Sequence, residues 1–116
     1  MYTTETIDNY LIIKYSSNRL DHNQPNDFIK KICEQININH KVIIFDLSKV
    51  EFMDSSGLGT LLALLKSLQT KTKLLFCGAG DNIKNQLKLT NLDKILNIYK
   101  DLNSAIRASD IEYQNI

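Results

Sequence analysis

The chain has 116 residues, 43% of them hydrophobic, which is enough to bury one real core and too few for two. Fourteen basic against thirteen acidic residues leave a formal charge of +1, and Arg19 and Arg107 are its only arginines, so no nucleic-acid partner is expected. Nothing approaches the ~20 uninterrupted apolar residues of a membrane span, and Met1-Tyr2-Thr3-Thr4-Glu5-Thr6 lacks the basic start and apolar run of a secretory signal. The reading is a cytoplasmic protein with no direct membrane insertion.

In chain order, a first strand or hairpin is expected from Thr4 to Tyr15, centred on the apolar run Tyr10 to Tyr15. The only proline, Pro25, opens a helix in which Phe28, Ile29, Ile32, Cys33 and Ile36 share one face, opposite Lys30, Lys31 and Glu34. Val42 to Leu47 is short and β-branched enough for a core strand. Leu58, Leu61, Leu62, Leu65 and Leu68 then repeat at helical spacing. A third apolar strand, Leu74 to Cys77, ends at Gly78-Ala79-Gly80, after which Asp81 is placed to cap a short helix carrying Ile83 and Leu87. Leu96 to Tyr99 reads as a last strand, and Asp101 starts a terminal helix with Leu102, Ala105 and Ile106 inward. Residues 111–116 are expected to fray within a single domain spanning 1–116. Strands alternating with about four helices imply an α/β fold with a mostly parallel sheet. Cys33 and Cys77 form neither a C-x-x-C pair nor a disulfide framework, and both are expected as reduced core residues.

The densest signal lies between the second strand and its helix. There Asp54-Ser55-Ser56-Gly57 sits at a helix start, where a hydroxyl can cap free amides and a phosphate would face the positive end of the helix dipole. By spacing alone this is an ordinary N-cap. Two enzymatic readings fail on the same residues. The G-x-S-x-G elbow is absent because Met53 and Asp54 stand where its first glycine would precede Ser55 or Ser56, and nothing places His22 or His40 beside a serine. Gly57-Leu58-Gly59-Thr60 lacks the Lys-Ser/Thr ending of a P-loop, and the histidines and cysteines are scattered without ligand spacing, so no metal or cofactor is implied. The lysines between Lys71 and Lys100 read as a solvated face, with a patch for an acidic partner as the rival.

Taken together, Asp46-Leu47-Ser48, then Phe52-Met53-Asp54-Ser55-Ser56-Gly57-Leu58-Gly59 at a helix start, resembles the STAS domain of anti-sigma factor antagonists. The resemblance extends to Leu20-Asp21 before the first helix, to Leu74–Cys77, and to Leu89-Thr90-Asn91-Leu92-Asp93-Lys94-Ile95-Leu96. It implies that the chain is no enzyme but the substrate of an anti-sigma factor with serine kinase activity, phosphorylated at Ser55 with Ser56 as the rival position, and reset by a serine phosphatase. Unphosphorylated, such a protein binds the anti-sigma factor and frees a sigma factor in a bacterial cytoplasm. By the same resemblance Asp21, Asp54, Ser55, Ser56, Gly57 and Leu58 make up the partner-binding surface, with Gly57 and Gly59 allowing close backbone approach. Asn18-Arg19, Lys71-Thr72-Lys73 and Asn91 replace turn glycines frequent in the family, and asparagine tolerates left-handed backbone. The alternative is a stand-alone STAS subunit of a membrane transporter or signalling complex, in which Ser55 is structural only.

Overall fold

The computed structural model describes residues 2–20, 25–68 and 72–114. Strands β1 (Tyr2–Ile7) and β2 (Tyr10–Tyr15) form an antiparallel hairpin closed by the two-residue turn Asp8-Asn9, with Asp8 at φ +51°. Next come β3 (Arg19–Leu20), helix α1 (Pro25–Gln35), β4 (Val42–Asp46), β5 (Phe52–Met53), α2 (Ser55–Leu68) and β6 (Lys73–Cys77). Helix α3 (Asp81–Leu89), a 3-10 turn at Leu92–Lys94, β7 (Ile98–Tyr99) and α4 (Leu102–Gln114) complete the chain. Since α4 runs through Gln114, the part of the expected frayed tail beyond it lies outside the described residues.

The central sheet has the order β1-β2-β4-β6-β7, with β1 antiparallel and the other pairings parallel, and β3 and β5 make a separate parallel pair. This is the expected α/β fold, with four helices among the described residues. Parallel strands are buried on both sides, which is why Val42 to Phe45 is an unbroken apolar run. Alternation sends Leu11, Ile13, Ile43, Phe45, Leu74 and Phe76 to one face, where Phe28 and Ile32 of α1, Leu61 and Leu64 of α2, and Ile83 and Leu87 of α3 cover them. Phe45 lies at this core's centre, with ring centroids 6.0–6.2 Å from Tyr15, Phe28 and Phe76. Tyr10, Ile12, Val42, Ile44, Leu75 and Cys77 line the opposite face, packed against Ala105 of α4, with Leu102 and Ile106 at the margin. The Tyr10 hydroxyl also bonds the Asp110 carboxylate, tying the first hairpin to the last helix.

Three expectations change. Cys33 is exposed, because at about 100° per residue it lies about 40° beyond Ile29, past the rim of the Phe28–Ile32 stripe. In α2 the inward row is Gly57, Thr60, Leu61, Leu64 and Leu68, while Leu58, Leu62 and Leu65 are only partly buried. A helix apolar nearly all round does not declare its inner face by periodicity. Gly80, not Asp81, is the cap residue of α3, and no side chain bonds there. Asn91 does adopt the left-handed backbone, at φ +60°. Asp101 caps α4, its Oδ1 accepting from the Ser104 N–H at 2.8 Å.

The two thiols differ sharply. Burial first, then the carboxylates of Asp46 and Asp101, push the Cys77 thiol up to about 12, so it stays protonated and inert at neutral pH. A disulfide reagent at pH 8 is expected to titrate a single thiol, Cys33, in the native protein and both after unfolding. Equal reaction rates in the native state would contradict this packing.

Candidate functional site

The site is built where β2 and β4 release the chain at their carboxyl ends. The segments leaving them meet again as β3 and β5, pairing Arg19 with Phe52 and Leu20 with Met53. On the other side of β5, two amides one turn apart on α3 hold its backbone. Asn82 Nδ2 donates to the Glu51 carbonyl at 2.9 Å and Gln86 Nε2 to the Met53 carbonyl at 2.6 Å. The Gln86 Oε1 is buried without a hydrogen-bond partner. Above this strand the Arg19 guanidinium stacks on the half-exposed Phe52 ring, 4.4 Å from its centroid.

Asp54 is the N-cap of α2. Its Oδ1 accepts from the Gly57 N–H at 2.9 Å and from the Ser56 hydroxyl at 2.5 Å, while its carbonyl accepts the first helical bond, from Leu58 N–H at 3.0 Å. The capping role open to a serine hydroxyl therefore belongs to the Asp54 carboxylate. Aspartate can accept two bonds at once, and Ser56 serves as one of its donors. These bonds, the Ser56 hydroxyl foremost, then the Gly57 amide, hold the Asp54 carboxyl below its ordinary 3.8, with Arg19 adding a smaller pull. The carboxylate is ionised at neutral pH. Its contribution to stability is complete above 3.8 and is lost as pH falls through the lower folded-state value.

The two serines are both exposed but not equivalent. Ser56 is engaged with Asp54, and its carbonyl accepts from the Thr60 hydroxyl at 2.9 Å. Among the described residues no hydrogen bond engages the Ser55 hydroxyl, which stands in the first turn of α2 facing solvent. Gly57 is buried, and a Cβ there would sit 2.0 Å from the Leu20 carbonyl oxygen and 2.7 Å from Met53 Cγ. Only glycine lets α2 start this close to β3. At Gly59 a Cβ would meet nothing within 4 Å, so the close approach expected of both glycines holds inside the fold only at Gly57. Leu58 is half-buried against the core, and Asp21 lies outside the described residues.

No triad can form with His40. It is buried at the opposite end of the strands, where Nδ1 accepts from the Asn37 N–H at 3.1 Å, which leaves Nε2 to donate to Thr6 Oγ1, also at 3.1 Å. His22 lies outside the described residues. Among the described residues no three His, Cys, Asp or Glu side chains gather into a metal site, and no helix is long and apolar enough to cross a membrane. Sequence reasoning missed the Arg19–Phe52 stack and the Asn82 and Gln86 tethers, since two-residue strands carry no periodicity.

A family profile described as STAS domain matches residues 1–105. The anti-sigma-B factor antagonist of Listeria monocytogenes is 31% identical over 72 residues, covering 60% of this chain and 63% of that protein. This chain thus spans somewhat less than two thirds of that relative's length. The crystal structure of an anti-sigma factor antagonist from Mycobacterium paratuberculosis superposes with a TM-score of 0.79 at 26% identity, over 93% of this chain and 92% of that one. Murine Slc26a9, an anion transporter, shares the fold with a TM-score of 0.76 at 16% identity, over 92% of this chain and 18% of the transporter. With the profile spanning nearly its whole length, from the β1–β2 hairpin into α4, the chain belongs to the STAS domain family.

Proposed function

We propose that the protein is an anti-sigma factor antagonist, a binding protein and kinase substrate with no catalysis of its own. In its unphosphorylated form it binds an anti-sigma factor with serine kinase activity, and a sigma factor is released. Phosphorylation of Ser55 ends the interaction, and a serine phosphatase restores it. One observation carries the choice of residue: the Ser55 hydroxyl is exposed and outside the hydrogen-bond network, whereas Ser56 is held by the capping carboxylate. A kinase can take the Ser55 oxygen without opening the cap.

The partner surface on this reading is Asp54, Ser55, Ser56 and Leu58, with Asp21, next in the sequence after β3, added to it. Gly57 belongs to it as the residue that sets the turn's position. Phosphoserine adds a charge of roughly −1.5 to −2 beside the Asp54 carboxylate, at a surface suited to a neutral hydroxyl. The fold tolerates that charge because it lies at the positive end of α2.

The test is incubation of the purified protein with ATP and candidate anti-sigma kinases of the same organism, followed by mapping of the phosphate. Ser55→Ala is expected to abolish incorporation and keep partner binding, with stability within about 0.5 kcal/mol of wild type because the cap is untouched. Stoichiometric phosphate in that variant would remove Ser55 from its role. Co-purification with transporter subunits and with no kinase would overturn the reading as a whole.

A further inference from the structure

Among the described residues strand β1 ends the central sheet, and it carries few of the devices that protect an edge. It pairs with β2 through six consecutive residues without a bulge, contains no proline, and has one charged residue, Glu5. Thr3 to Ile7 are all exposed.

The hairpin determines which backbone groups face outward. With a two-residue turn, Ile7 and Tyr10 must be a mutually hydrogen-bonded pair, and alternation then gives Glu5 and Thr3 the same role. The N–H and C=O groups of Tyr2, Thr4 and Thr6 therefore point away from the sheet. We propose that this edge is the contact between two copies of the chain, β1 pairing antiparallel with the partner's β1 about a two-fold axis, Thr4 opposite the partner's Thr4. Tyr2 then bonds the partner's Thr6, Thr6 bonds the partner's Tyr2, and the two sheets of five strands run on as one.

Charge selects this register over its neighbours. Shifted by two residues one way, Glu5 would oppose the partner's Glu5. Shifted the other way, Thr6 would lose its bonding position. In the central register Glu5 lies opposite the partner's Thr3, and the residue paired with Thr3 on the same face is Lys14, also exposed. Glu5 thus reaches across the seam toward the partner's Lys14, two strand spacings or about 10 Å away at the backbone, within the combined length of the two side chains. The two-fold makes this pair twice. Helix α1 packs over the hairpin as a whole, Phe28 meeting Tyr15 of β2 and Tyr2 of β1 and Gln35 Nε2 donating to the Tyr2 hydroxyl. A helix over the line between β1 and β2 lies about 10 Å from its two-fold mate, near the 8–10 Å spacing of packed helices, so the two copies of α1 meet side by side without overlapping.

A seam of six residues buries less than the roughly 1,200 Å² of a standard stable interface, so the dimer is weak and forms with rising concentration. Sedimentation of the full chain from micromolar to millimolar concentration is expected to show a reversible monomer–dimer equilibrium. Thr4→Pro removes the central N–H at a position where an edge strand tolerates proline, and should leave a monomer with an unchanged circular dichroism spectrum. Glu5→Lys should weaken the dimer about five- to tenfold, and Glu5→Lys combined with Lys14→Glu should restore it. This exchange decides the matter even if the proline variant fails to fold. A chain monomeric throughout, a dimer indifferent to the charge exchange, or an edge that accepts only a strand from a different protein would each overturn the proposal.

Discussion

Gly57→Ala is expected to destabilise the protein by about 1–3 kcal/mol, the range for overpacking a filled interior. The added Cβ would sit 2.0 Å from the Leu20 carbonyl oxygen, a backbone atom with no rotamer to escape into, so β3 or the start of α2 must move. Movement of β3 strains its pairing with β5, and with it the turn holding Asp54 and Ser55. Gly59→Ala, two residues on in the same helix, is the matched control, because its Cβ would enter open space. There the usual advantage of alanine over glycine inside a helix applies, a gain of about 0.5–1 kcal/mol. Urea unfolding of the two variants should give shifts of opposite sign. Equal shifts would mean that α2 does not start against Leu20.

Ser55→Asp is expected to raise the dissociation constant for the proposed anti-sigma partner by about 10- to 100-fold while leaving the fold intact. The new carboxylate lies in the first turn of α2, where the dipole favours it, and the cap made by Asp54 does not depend on the Ser55 hydroxyl. What changes is the surface, which now presents two adjacent carboxylates. True phosphorylation should act more strongly, because phosphate carries nearly two charges and three acceptor oxygens. Titration calorimetry alongside circular dichroism reads both halves. An aspartate variant and a fully phosphorylated protein that both bind like wild type would end the switch reading.

Much of this fold was legible because its strands are apolar on both faces. The runs Tyr10–Tyr15, Val42–Phe45 and Leu74–Cys77 announce a buried parallel sheet, and Asn91 announces its left-handed turn by residue type. The orientation of α2 was not legible, since leucines ring most of it and the burial of Leu64 over Leu62 is decided by neighbouring helices. Cys33 illustrates the limit of a stripe's width, as its offset from Ile29 places it in water. The turn from Asp54 to Gly57 was placed at a helix start from its motif, but its wiring was not legible. Aspartate and serine are both good caps, and which one serves depends on where the helix begins. The β3–β5 pair and the Asn82 and Gln86 tethers join residues far apart in the chain, beyond the reach of any local pattern.

Helix α4 imposes an order on the protein's synthesis. The face of the sheet formed by Tyr10, Ile12, Val42, Ile44, Leu75 and Cys77 packs on the last helix, and the Tyr10 hydroxyl finds Asp110 there. The ribosome makes Tyr10 well before Asp110. Helices α1, α2 and α3 can close their side of the sheet while the remaining residues are still in the exit tunnel, but the opposite side stays wet until α4 has emerged. A nascent chain whose α4 has not yet left the tunnel shows a broad apolar face to its surroundings, which makes that interval of synthesis the one in which this domain most depends on a chaperone.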